Sequence, residues 1–136
     1  GSPMYPFGFG LSYTDFALQD IKVLQNTIGI KDLLNGKSFT VTATVKNIGR
    51  AAGHETVQLY IRDEIASMVR PMRELKGYRK VYLNPGESCL VEFNLGFEEL
   101  SFFNAECKQV IESGNFTVYL GTDCKTKNAL KITVAD

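Results

Sequence analysis

His54 is the single histidine of the chain, and Glu55 follows it. An imidazole beside a carboxylate can move protons or hold a metal. The zinc-hydrolase pattern His-Glu-x-x-His needs a second histidine four positions on, where Gln58 stands, so the metal reading fails there. His54 is instead expected as a solvated turn residue at a strand start. Paired carboxylates, the tools of glycoside hydrolysis, occur as Asp63-Glu64 and Glu98-Glu99. Neighbours on a strand point to opposite faces, so neither pair can flank a scissile bond by itself. Both pairs are expected as solvated acids on loops. No Gly-x-Ser-x-Gly elbow presents a nucleophile. Gly8-Phe9-Gly10 lacks the third glycine of a phosphate cradle and leads into a strand. No Asp-x-Asp-x-Asp run offers calcium ligands.

Cys89, Cys107 and Cys124 are odd in number and never at C-x-x-C spacing, which excludes a zinc knuckle and a dithiol redox motif. Free thiols are expected, with one disulfide and a spare thiol as the alternative. Asn115-Phe116-Thr117 matches a glycosylation sequon at the opening of a strand. The residues thus offer no catalytic group, cofactor or metal site. Tyr60, Tyr78, Tyr82 and Tyr119 fall at or near strand positions, and Tyr60 and Tyr119 are out of phase with the apolar sets of their strands. Such rings face away from the core and serve as cross-strand partners, as contacts to another domain or as a sugar platform. Sugar platforms favour Trp, which the chain lacks.

Period-two alternation must position these groups. Ser38 to Asn47 sets Phe39, Val41, Ala43 and Val45 on one face and threonines on the other. Glu55 to Arg62, Ser88 to Leu95, Asn115 to Leu120 and Ala129 to Val134 repeat the pattern. Phe16 to Val23 slips phase, which a bulge or a change of sheet near Gln19-Asp20 reconciles. Asn35-Gly36 and Asn84-Pro-Gly-Glu87 are turns, the second of type II. Phe97 to Leu100 predicts a single helical turn, and helical signal is otherwise minimal. About seven short strands predict an all-β, antiparallel sandwich of the fibronectin type III or immunoglobulin kind, with an extended N-terminal leader. The absence of Trp favours the fibronectin-like variant.

The chain's 136 residues fit one domain at 15–136, preceded by a leader at 3–14 and by Gly1-Ser2, which reads as a cloning scar. Fifteen basic residues balance fifteen acidic ones, so no net field draws nucleic acid or an anionic membrane. The basic cluster Arg70, Arg73, Lys76, Arg79 and Lys80 is expected as a solvated edge with side chains on both faces, with a polyanion site as the alternative. No apolar run reaches the ~18–20 residues of a membrane span.

Several ordered segments resemble the C-terminal domain of glycoside hydrolase family 3, the family of many β-glucosidases and β-xylosidases. They are Tyr5-Pro-Phe-Gly-Phe-Gly-Leu-Ser-Tyr-Thr14, Val45-Lys-Asn-Ile-Gly49 with Gly53-His-Glu-Thr-Val-Gln-Leu-Tyr-Ile-Arg-Asp63, and Arg70 to Glu87 with its ELKGY core. Leu100-Ser-Phe-Phe-Asn104 and Glu112-Ser-Gly-Asn-Phe-Thr-Val-Tyr-Leu-Gly121 complete the set. The chain departs from the family pattern at His54, Gln109 and Ser113, where Asp, Trp and Pro are usual. The resemblance implies a retaining glycosidase as parent, with its nucleophile and acid/base upstream of everything matched here. No catalytic residue carries over, and the chain is expected to be a piece of that parent.

Tyr5, Phe7, Phe9, Leu11 and Tyr13 share one parity and give the leader a broad aromatic face. The long segment from Asp63 to Met72 carries Ile65, Met68, Val69 and Met72. Both are expected to contact the catalytic domains of the parent. The expected role is a non-catalytic accessory domain that stabilises the assembly. The alternative is an independent module binding polysaccharide or another protein, with weak carbohydrate contact.

Overall fold

A computed structural model describes residues 15–64 and 73–136. Two sheets pack face to face. Sheet A carries β1 (Phe16–Val23), β3 (Phe39–Asn47) and β6 (Ser88–Leu95) in the order β1-β3-β6. Sheet B carries β2 (Thr27–Gly29), β10 (Ala129–Ala135), β9 (Gly114–Gly121), β4 (Gly53–Asp63) and β5 (Glu74–Leu83) in the order β2-β10-β9-β4-β5. A small hairpin joins β7 (Phe102–Phe103) to β8 (Gln109–Val110). This is the expected all-β sandwich, and the alternating runs fall on the expected strands.

The alternation sets which residues meet between the sheets. Phe39, Val41, Ala43 and Val45 of β3 face Val57, Leu59 and Ile61 of β4 across a core shared with Phe93, Leu95, Val118, Leu120, Ile132 and Val134. Phe39, Val41, Leu59 and Ile132 are fully buried, each worth about 1.5–3 kcal/mol of transfer free energy. The phase slip in β1 is a bulge: β1 stays paired with β3 throughout, its register shifts between Gln19 and Lys22, and Asp20 takes a φ of 52°. Asp is among the few non-glycine residues that visit that region readily. At Asn84-Pro85-Gly86-Glu87 the Glu87 N–H donates to the Asn84 carbonyl at 3.0 Å and Gly86 has φ 84°, as a type II turn requires.

β2, β5, the β7–β8 hairpin and helix α1 (Ile30–Leu34) have no counterpart among the alternating runs. β2 pairs with β10 in parallel, and the single-turn helix α1 follows it. Ile28 and Leu33, 4% and 1% exposed, plug that end of the sandwich. The expected turn at Phe97–Leu100 is helix α2, and the Glu99 carboxylate accepts from the Gly96 N–H at its start at 2.8 Å.

Candidate functional site

The groups nominated for chemistry are scattered and already engaged. His54 sits on β4 rather than in a turn, exposed as expected, with its ring centroid 4.6 Å from that of Tyr82. Asp63 closes β4 rather than lying on a loop, and Glu64 accepts from the Thr117 hydroxyl at 2.7 Å and sits 3.5 Å from Arg62 Nε. Glu98 and Glu99 lie on α2, where Glu98 accepts from Gln109 Nε2 at 3.3 Å. Gln109, the departure from the family's Trp, also donates to the Ser101 hydroxyl at 2.7 Å and so ties β8 to the end of α2. The three cysteines are free thiols. Among the described residues no three His, Cys, Asp or Glu side chains gather around a metal-sized position.

The basic cluster is dispersed as well. Arg73 stacks its guanidinium 3.7 Å above the Tyr119 ring and donates to the Cys124 and Thr126 carbonyls at 2.8 and 2.7 Å. Tyr119 points outward from sheet B as its parity requires, yet Arg73 leaves it only 8% exposed. Lys76 lies 3.5 Å from Glu74. Arg79 shares the inward side of Val57, its cross-strand partner, and its guanidinium lies 4.6 Å from the Phe93 ring centroid at the rim of the core. Lys80 faces outward beside Thr56. Arg70 lies outside the described residues.

Three features were not singled out in the sequence. Asn47 is fully buried; its amide donates to the Ala51 and Leu83 carbonyls, each at 2.9 Å, and its Oδ1 accepts from the Gly49 N–H at 2.9 Å. It pins the β3–β4 turn to the end of β5. Glu55 shares parity with Val57 and Leu59, so it points between the sheets. It lines a cleft of about 390 Å3 with Phe16, Leu18, Asp123, Lys125 and Asn128. Burial pushes its carboxyl above the usual 4.5, and the Thr56 N–H pulls it partly back. The third feature is a bulge in β5. Leu59 pairs with Gly77 but Tyr60 with Leu75, so Lys76 is the extra residue. The bulge turns Leu75 to the same outward face as Tyr78, Lys80 and Tyr82.

That face carries two of the four exposed large aromatics among the described residues; the other two are Phe102 and Phe103 of β7. Tyr78, Tyr82 and Leu75 are 56%, 56% and 52% exposed. The opposite outer face, on sheet A, presents mainly Thr40, Thr44, Lys46, Glu92 and Asn94, with Leu90 on β6 and Leu24, beside Thr40 just past β1, as exposed large apolar side chains. Tyr5, Phe7, Phe9, Leu11, Tyr13, Ile65, Met68, Val69 and Met72 lie outside the described residues. Their attachment points are described. The Ile48 N–H donates to the Asp15 carbonyl at 2.9 Å, which puts the leader's junction beside Asn47 and the Leu83 end of β5. Glu64 and Arg73, which flank residues 65–72, lie at the opposite end of the β4–β5 hairpin.

Fold and surface together define an immunoglobulin-like sandwich whose polar groups serve structure and whose exposed chemistry is aromatic. A family model for the fibronectin type III-like domain matches residues 55–124. The chain is 43% identical over 124 residues to a β-xylosidase of Formosa agariphila, covering 91% of this chain and 16% of that protein. It is 43% identical over 120 residues to thermostable β-glucosidase B of Acetivibrio thermocellus, covering 88% and 15%. A β-glucosidase of Listeria innocua, solved with glucose, superposes with a TM-score of 0.81 at 37% identity, over 98% of this chain and 18% of that one. A GH3 β-glucosidase of Bifidobacterium adolescentis does so with 0.78 at 35%, over 96% and 18%. This chain belongs to the fibronectin type III-like domains of family 3 glycoside hydrolases. It spans 15–18% of the length of these relatives.

Proposed function

We propose that this chain is a non-catalytic accessory domain of a retaining β-glucosidase- or β-xylosidase-like enzyme, packed against the catalytic domains and stabilising them. The observation that carries this reading is the pattern of coverage. Nearly all of this chain matches a small part of each much longer glycosidase. The described carboxylates agree with it, since Glu64 and Glu99 are bound to neighbours and Glu98 and Glu99 are adjacent on one helical turn. The leader residues Tyr5, Phe7, Phe9, Leu11 and Tyr13 form one contact to the catalytic domains, and Ile65, Met68, Val69 and Met72 form another.

Two measurements test this. The purified chain should not hydrolyse nitrophenyl β-glucoside or β-xyloside, and the parent enzyme lacking this domain should lose activity on heating faster than the intact parent. Hydrolysis by the chain alone, or an unchanged inactivation rate, overturns the proposal. The exposed Tyr78 and Tyr82 favour a second reading, an independent polysaccharide-binding module. Calorimetric titration with cello- and xylo-oligosaccharides separates the two, because saturable binding to the isolated chain supports only the second.

A further inference from the structure

We infer that the outer face of the β4–β5 hairpin is the surface on which the catalytic portion of the parent enzyme seats, with Leu75, Tyr78 and Tyr82 as its anchors. This rests on the accessory-domain reading and adds the face to it.

The first support is composition. Interfaces concentrate Tyr, other aromatics and Arg at their centre. Leu75, Tyr78 and Tyr82 line one side of an edge strand and are each more than half exposed. His54 extends the row onto β4 through its ring contact with Tyr82. Leu75 to Tyr82 covers about 20 Å at strand rise, the width of a standard interface core. The outer face of sheet A is made of threonines and charges, and its exposed Leu24 and Leu90 lie at separate strands, opposite Thr40 and Thr44, with no aromatic ring between them.

The second support is local construction. Without the Lys76 bulge, Leu75 would turn toward the inner side of the sheet, where Glu74 pairs with Ile61. The bulge instead lengthens the apolar row outward, which gains an isolated domain nothing because it exposes a leucine to water. It gains stability once another surface covers it.

The third support identifies the occupant. Relatives of this chain carry more than four-fifths of their length outside the matched region. A covalently attached neighbour meets this face at an effective concentration that a free partner seldom reaches. The leader's junction at Asp15 lies at the Tyr82 end of the hairpin, and Arg73 lies at the Leu75 end.

The test compares the 136-residue chain with the full-length parent by tetranitromethane nitration, mapped by peptide mass spectrometry, with lysine acetylation in parallel. Tyr78 and Tyr82 should be nitrated readily in the chain and about tenfold less in the parent, as expected for side chains moved into an interface core. Lys46 on sheet A should be acetylated equally in both. Equal nitration of Tyr78 and Tyr82 with new protection of Lys46 overturns the assigned face and leaves the accessory reading standing. Equal labelling everywhere overturns both. Protection of Tyr78 and Tyr82 in the isolated chain by an added oligosaccharide replaces the inference with sugar binding. The double variant Tyr78→Ser, Tyr82→Ser gives an independent readout. It should leave the melting temperature of the isolated chain unchanged and speed thermal inactivation of the parent, and an unaltered parent overturns the inference.

Discussion

Asn47→Ala should be among the most costly single substitutions at a polar position of this domain. Among the described residues the Asn47 side chain donates to the Ala51 and Leu83 carbonyls and accepts from the Gly49 N–H, three hydrogen bonds in all. At a net of about 1 kcal/mol each they sum to about 3 kcal/mol, and the buried Leu83 carbonyl left behind adds its desolvation. For a domain of this size that corresponds to a fall in Tm of about 10 °C and a fall of about 2 M in the urea midpoint. The assay is equilibrium urea unfolding of the 136-residue chain followed by circular dichroism, with exposed Glu92→Ala as the control. Asn47→Asp sharpens the test, because it keeps the acceptor for Gly49 and sets an anion against two carbonyls. That variant should lose at least as much at pH 7 and recover part of the loss in acid, where its carboxyl takes up a proton. A loss below about 1 kcal/mol for Asn47→Ala would refute the idea that this side chain joins the two turns.

Three further substitutions test other contacts. Glu55→Gln should stabilise the domain at neutral pH: the folded carboxyl titrates above its ordinary 4.5, so the cost of burying the charge is absent below that value and complete above the raised one. The difference between the variant and the natural chain should therefore shrink as pH falls, and a pH-independent difference in urea midpoint would disprove the burial argument. Gly121→Ala should cost about 1–3 kcal/mol, because its Cβ would overlap Cβ and Oγ1 of Thr126, and Thr126→Gly in the same chain should restore most of the loss in thermal melts. Arg73→Lys should raise nitration of Tyr119 in the isolated chain, since a single ammonium cannot cover the ring while reaching both the Cys124 and Thr126 carbonyls.

The long strands other than β5 were legible because one face of each is buried, and burial writes a period of two into the sequence. β3 is the clearest case, with every second side chain from Phe39 to Val45 in the core. β2 and α1 were not legible. Their only deep anchors are Ile28 and Leu33, and the parallel pairing with β10 joins residues about a hundred positions apart, which no local pattern records. The bulge in β5 was hidden for a related reason: Arg79 occupies an inward position, so polarity there does not follow the pleat. Asn47 was visible as part of a motif, but its role depends on the Leu83 carbonyl, 36 residues further on. Glu55 could have been found, since it shares parity with Val57 and Leu59. The outward placement of Tyr60 and Tyr119 followed from phase alone, while the burial of Tyr119 required Arg73, just before β5 and 46 residues away in sequence.

Among the described residues β5 is the last strand of sheet B, and one row of its backbone donors and acceptors has no neighbouring strand there. Such a row invites a strand from another copy, and chains crowded at high concentration can stack through it into fibres. Lys76 interrupts the regular repeat of that row, and Arg79 holds a charge on the side where a stacking copy would need an apolar surface. An incoming strand would have to accommodate the kink and bury the guanidinium together. The same ten residues that display Leu75, Tyr78 and Tyr82 thereby oppose sheet extension, so the domain can carry a sticky face without becoming a template for its own aggregation.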